Sequence, residues 1–101
     1  LADALSLPSE LTLRQASGAL LRLLAAISTL ASGVPVRIQA QSMQVFDSSA
    51  LAVLLECRRA ALASGRAFAV AGLPSALRGL AALYGVDTLL TDADGHTAPA
   101  G

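Results

Sequence analysis

Between residues 34 and 41, Val34, Val36, Ile38 and Ala40 alternate without a break with Pro35, Arg37, Gln39 and Gln41. Strict period two marks a strand with one buried face. On either side the apolar residues recur at helical spacing instead. Ala16, Leu20, Leu23, Leu24, Ile27 and Leu30 precede the strand, and Leu51, Leu54, Leu55 and Leu62 follow it. A strand held between two amphipathic helices leaves few folds open, and the simplest is a set of helices packed on a small sheet.

The rest of the chain extends this alternation. Leu5 and Leu7 share one face of a short first strand that ends at Pro8. Thr12 and Gln15 have capping-box spacing, so the first helix is predicted over residues 13–31, stopping at Gly33. The second helix is predicted over residues 49–63, ending at Ser64-Gly65, with Ala50, Leu51, Leu54, Leu55, Cys57, Ala61 and Leu62 on its apolar arc. Its outer arc holds Ala52, Glu56, Arg59 and Ala63, and Arg58 lies at the edge, placed to snorkel. Residues 67–71, with Phe68 and Val70, form a nearly continuous apolar run, expected for a strand covered on both faces. A third helix over residues 75–84 sets Leu77, Leu80, Ala81 and Tyr84 on one side, and Gly85-Val86 has the form of a left-handed stop. Residues 88–91 suit a last short strand or a hydrophobic tether. Residues 92–101 have nothing to bury and read as a mobile tail. The order is strand–helix three times over, which gives the α/β class: one domain over residues 1–91, with a mostly parallel sheet and helices packed on it. Val45 and Phe46, in the connector before the second helix, are expected to pack beneath its start.

Two places stand out as candidate binding surfaces. Phe46-Asp47-Ser48-Ser49-Ala50-Leu51 hands an apolar run over to the second helix, and Asp and Ser are residue types that cap a helix N-terminus. Hydroxyl groups of Ser48 and Ser49 then stand at the positive end of the helix dipole, beside Asp47 and one turn below Ala52. On the first helix, Gly18, Leu21, Ala25, Ser28 and Ser32 make a flank of small residues with one large apolar side chain and almost no charge. Solvated helix faces usually carry charges, so this flank suits a partner's helix.

Composition narrows the function further. Charged residues are 14% and aromatics 3%, so the core is built from Leu, Ala and Val. Seven Arg balance seven acids and there is no Lys, which is not the basic excess of a nucleic-acid binder. A neutral chain that is 54% apolar tends to associate, with a protein partner or with its own copies. Ser, Arg and Gly interrupt every apolar run, so no direct membrane insertion is expected. The single histidine, His96, lies with Asp92 and Asp94 in the tail, so Ser48 lacks a base for nucleophilic chemistry. There is no phosphate-binding loop and no metal-ligand cluster. Cys57, on the inner arc, reads as a small buried hydrophobe. No enzyme activity, cofactor or metal is expected, and without a signal-peptide pattern the expected compartment is cytoplasmic.

Four segments together resemble a STAS domain: Ser9-Glu10-Leu11-Thr12, the strand around Val36 to Ala40, Asp47-Ser48-Ser49-Ala50-Leu51, and Leu80-Ala81-Ala82-Leu83-Tyr84-Gly85-Val86. That fold is shared by bacterial anti-sigma-factor antagonists and the cytoplasmic ends of sulfate transporters. Leu51-Ala52-Val53-Leu54-Leu55 together with Leu83-Tyr84-Gly85-Val86 is similar to the MlaB type. This resemblance implies a stand-alone subunit that binds the ATPase of a phospholipid-transporting ABC complex, which maintains outer-membrane asymmetry. It also implies a place at the cytoplasmic face of the inner membrane, held there by the partner. The antagonist branch implies instead that Ser48, directly after the Asp, is phosphorylated by a partner kinase. Ala50 stands where many members have Gly, and Ser9 where Gly often precedes Glu-Leu. A methyl at residue 50 is expected to limit close backbone approach by a partner.

Overall fold

The computed structural model describes residues 4–90. Its elements are β1 (Ala4–Ser6), β2 (Glu10–Leu11), α1 (Leu13–Ser28), β3 (Val36–Gln39), β4 (Val45–Phe46), α2 (Ser49–Ala63), β5 (Phe68–Ala71) and α3 (Ser75–Leu83), followed by a 3-10 helix, Asp87–Leu90. The alternating strand becomes the middle of a three-stranded sheet in the order β1-β3-β5, parallel throughout. Leu5 pairs with Ile38 and Ile38 with Val70, so one row of apolar side chains crosses the sheet. Val36, Ile38 and Ala40 are fully buried on that face. The fold is therefore α/β, helices on a small parallel sheet.

The opposite face differs from expectation. Ala69 and Ala71 are only half-buried, in register with exposed Arg37 and half-buried Gln39. β5 is covered on one face, not both. Alanine reads as apolar in a run of hydropathy, yet its single methyl demands little cover, so the run overstated the burial.

α2 is the centre of the helical layer. It packs against α1, β5 and the 3-10 helix, which is why its buried set is wider than one arc: Ala50, Leu51, Val53, Leu54, Cys57 and Ala61. Val53 is buried by these extra neighbours, whereas Leu62, at the helix end, stays 47% exposed. In α1 the buried line is Ala19, Leu23 and Ile27, with Leu20 and Leu24 half-buried at its margin. A lone methyl is buried only where a neighbouring helix comes close, and α1's own pattern does not reveal that neighbour.

Helix ends follow local chemistry. α2 and α3 both finish on a left-handed glycine, Gly65 (φ 76°) and Gly85 (φ 75°). Arg66 N–H reaches Ala61 O at 2.9 Å and Val86 N–H reaches Ala81 O at 2.9 Å, the Schellman pattern. α1 stops three residues earlier than predicted. The hydroxyls of Ser28 and Thr29 donate to the carbonyls of Ala25 and Ala26, each at 2.7 Å, and the chain turns away. Arg66 then closes over the freed carbonyls beyond it: Nη1 donates to Ala31 O (2.7 Å) and Val34 O (2.8 Å), Nη2 to Leu30 O (2.8 Å). Gly33 lies in this turn, not at the helix cap. Tyr84, expected on the core side of α3, is 59% exposed, because it is the residue at which the chain leaves the helix. Of the two readings for the segment after Gly85, strand or hydrophobic tether, the structure bears out the tether: its Leu90 is 4% exposed and ties the 3-10 helix into the core. The tail predicted over residues 92–101 lies outside the described residues.

Candidate protein-binding site

The two helix starts are brought together by a second, minimal sheet. β2 and β4 pair in parallel, Glu10 with Val45 and Leu11 with Phe46, and Ser9 O accepts from Gln44 N and Val45 N at 2.8 and 3.0 Å. From the sequence β4 reads as part of a connector and β2 has no element assigned to it, since two residues give no period to detect. The pairing sets Thr12 and Asp47, the next residues of each segment, at the mouths of α1 and α2. Those mouths follow the carboxyl ends of β1 and β3, the edge where open α/β sheets usually carry their sites.

Capping divides the work among the residues there. At α1, Thr12 and Gln15 form the predicted capping box: Gln15 Oε1 accepts from Thr12 N at 2.9 Å, and Thr12 Oγ1 accepts from Arg14 N at 3.3 Å. At α2, Asp47 Oδ1 accepts from Ser49 N at 2.8 Å. The second oxygen, Oδ2, accepts from Leu13 N at 3.1 Å, across to the start of α1. These two backbone N–H groups, Ser49 first and Leu13 second, hold the Asp47 carboxyl below its usual range. Ser48 takes no part with its side chain. Its carbonyl starts the helix ladder, accepting from Leu51 N at 3.0 Å, and its hydroxyl is left to solvent.

Of the predicted site residues, Asp47, Ser48 and Ala52 are exposed and Ser49 is half-buried. Gly18, Leu21, Ala25 and Ser28 are all exposed along α1, Leu21 at 69%. Ser32 lies past the end of α1 and is not part of that flank. The link between the two groups is Leu13, 75% exposed and bonded through its amide to Asp47. Sequence reasoning used Leu13 only to mark where a helix begins. The signal was present in the spacing, since Leu13, Ser17, Leu21 and Ala25 follow one another at four-residue steps. Val45, expected beneath the helix start, is instead 51% exposed, while Phe46 packs against the core. Ala50 is completely buried, so its methyl does not stand in a partner's way.

Asp47 already accepts two amide protons and has lowered proton affinity, which makes it a poor base for the neighbouring hydroxyl. Burial, and then Glu56, push the Cys57 thiol up to about 11, away from its reactive thiolate. Among the described residues no three metal-ligating side chains come together, and no helix is long and apolar enough to cross a membrane. A pocket of about 280 Å³ between α3 and the 3-10 helix is lined by Leu73, Arg78, Asp87 and Leu90, and by none of the Asp47–Ser48 group.

The family model described as Mlab, STAS domain matches residues 1–91. The chain belongs to the STAS domain family, of the MlaB type. No curated protein matches its sequence. In this STAS domain the Asp-Ser-Ser stretch opens the central helix, and the Leu-Tyr-Gly-Val stretch closes α3 with a Schellman turn.

Proposed function

We propose that this STAS domain is a non-catalytic subunit that binds and regulates the cytoplasmic ATPase of a phospholipid-transporting ABC complex. The surface it uses is the start of α2, at Asp47, Ser48, Ser49 and Ala52, continued along α1 through Gly18, Leu21, Ala25 and Ser28. The observation that carries the reading is Ser48: an exposed hydroxyl at a helix mouth that the fold does not use for capping. The MlaB-type family match supports the partner class. Large apolar side chains left in water at Leu13 and Leu21 support a lasting complex, because burying them against a partner is favourable. In this reading the protein works in the cytoplasm, held at the inner membrane by its partner. Co-purification of the ATPase with a tagged chain, lost on Ser48→Asp, tests it.

The same Ser48 geometry favours a second reading, an anti-sigma-factor antagonist switched by phosphorylation. An exposed hydroxyl that makes no capping bond is open to a kinase. Capture of a kinase-type anti-sigma factor in place of a transporter ATPase would establish that alternative.

A further inference from the structure

We infer that Asp47 is a positioning residue of the proposed partner surface, which holds Leu13 of α1 beside Ser48 of α2. The inference rests on the partner reading above for its consequence, but on the geometry of this chain for its cause. Capping α2 needs only one acceptor, and Asn or Ser would serve there nearly as well as Asp. What a carboxylate adds is a second acceptor, and here it is in use. Oδ1 takes Ser49 N at 2.8 Å while Oδ2 takes Leu13 N at 3.1 Å, a bond between residues 34 positions apart. Leu13 N is one of the donors that a helix start leaves without an intrahelical acceptor. The capping box of α1 does not supply it: Thr12 Oγ1 accepts from Arg14 N, and Thr12 O from Gln15 N.

The β2–β4 pairing aligns the two segments just ahead of these helices, and Asp47 completes the clip at the helix mouths. Leu13 is 75% exposed, and it begins the stripe that reaches Leu21 two turns later. Asp47 therefore sets the spacing between an apolar stripe on one helix and a free hydroxyl on the next. Each of its oxygens already accepts a backbone N–H from a different helix start, and that pair of bonds is what fixes the arrangement.

Asp47→Asn separates the two bonds, because an amide of the same shape has a single acceptor oxygen. On the chain alone, amide exchange at Leu13 is expected to quicken about tenfold while Ser49 keeps its protection. Titrated against the isolated ABC-transporter ATPase subunit, Asp47→Asn should bind roughly 5-fold more weakly, and in a Leu13→Ala background the same change should cost under about 2-fold. Asp47→Ser, which can cap α2 but has no acceptor to spare, should reproduce this pattern. Unchanged exchange at Leu13 in both variants would overturn the inference, and so would an undiminished effect of Asp47→Asn in the Leu13→Ala background. Failure of the unmodified chain to bind the ATPase would overturn the partner reading instead; the exchange measurement, made without partner, still decides whether Asp47 holds Leu13.

Discussion

Arg66 carries its charge into the interior, 8% exposed, and among the described residues it meets carbonyl oxygens, with its Nε left unpartnered. It donates to three carbonyls past the end of α1, one of which, Ala31 O, also accepts from Val34 N. Arg66→Met should lower the unfolding free energy by roughly 1–3 kcal/mol, the scale of losing a charged hydrogen-bond donor from half-buried acceptors. Arg66→Lys should recover part of that in urea titrations; equal stability of all three would show that water replaces the guanidinium. Asp47 makes a different prediction. Its carboxyl titrates below its ordinary value of 3.8, so its contribution is complete at neutral pH and is lost as pH falls through the lowered value. The stability difference between the native chain and Asp47→Asn should thus shrink in acid, below about pH 4. A constant difference from pH 7 to pH 3 would mean that the carboxylate's charge contributes nothing.

Among the elements, α1 joins core and surface most directly. Leu23 is buried while Leu21, two residues before it on a helix packed against α2, is 69% exposed. Leu21→Asp should leave the melting curve nearly unchanged, within about 0.5 kcal/mol, yet release the partner; Leu23→Asp should unfold the domain. Unfolding by Leu21→Asp would move that residue into the core and dissolve the proposed flank. The elements show clearly what the chain's own pattern could reveal. α2 was legible to the residue, because Asp-Ser-Ser before it and Ser64-Gly65 after it are strong local signals. β2 and β4 were not, since a two-residue strand exists only through its partner. Likewise Val53 and Ala19 owe their burial to neighbouring elements. The candidate site was legible in its pieces, Ser48 and Leu21, but the bond from Asp47 to Leu13 that joins them is a tertiary fact with no trace in local sequence.

At the scale of the whole molecule, a small parallel sheet carries its helices over one face and delivers two helix starts to a single edge. The short β2–β4 pair keeps those starts together, and the result is a surface with two exposed leucines, Leu13 and Leu21, and the exposed hydroxyl of Ser48. Negative charge at Ser48 suits the dipole of α2 and should leave the fold intact, adding roughly 0.3–1 kcal/mol less the repulsion from Asp47. At a packed interface the same charge must be desolvated, and it disrupts binding unless a facing Arg meets it. The most direct measurement is a calorimetric titration of the native chain, Ser48→Ala and Ser48→Asp against the ABC-transporter ATPase subunit, with thermal melts alongside. Ser48→Asp should bind at least about 10-fold more weakly, some 1.4 kcal/mol, at an unchanged melting temperature. Ser48→Ala should lose no more than the roughly 0.5–1.5 kcal/mol of one hydrogen bond. Equal affinity of the native chain and Ser48→Asp would remove Ser48 from the interface and contradict the account.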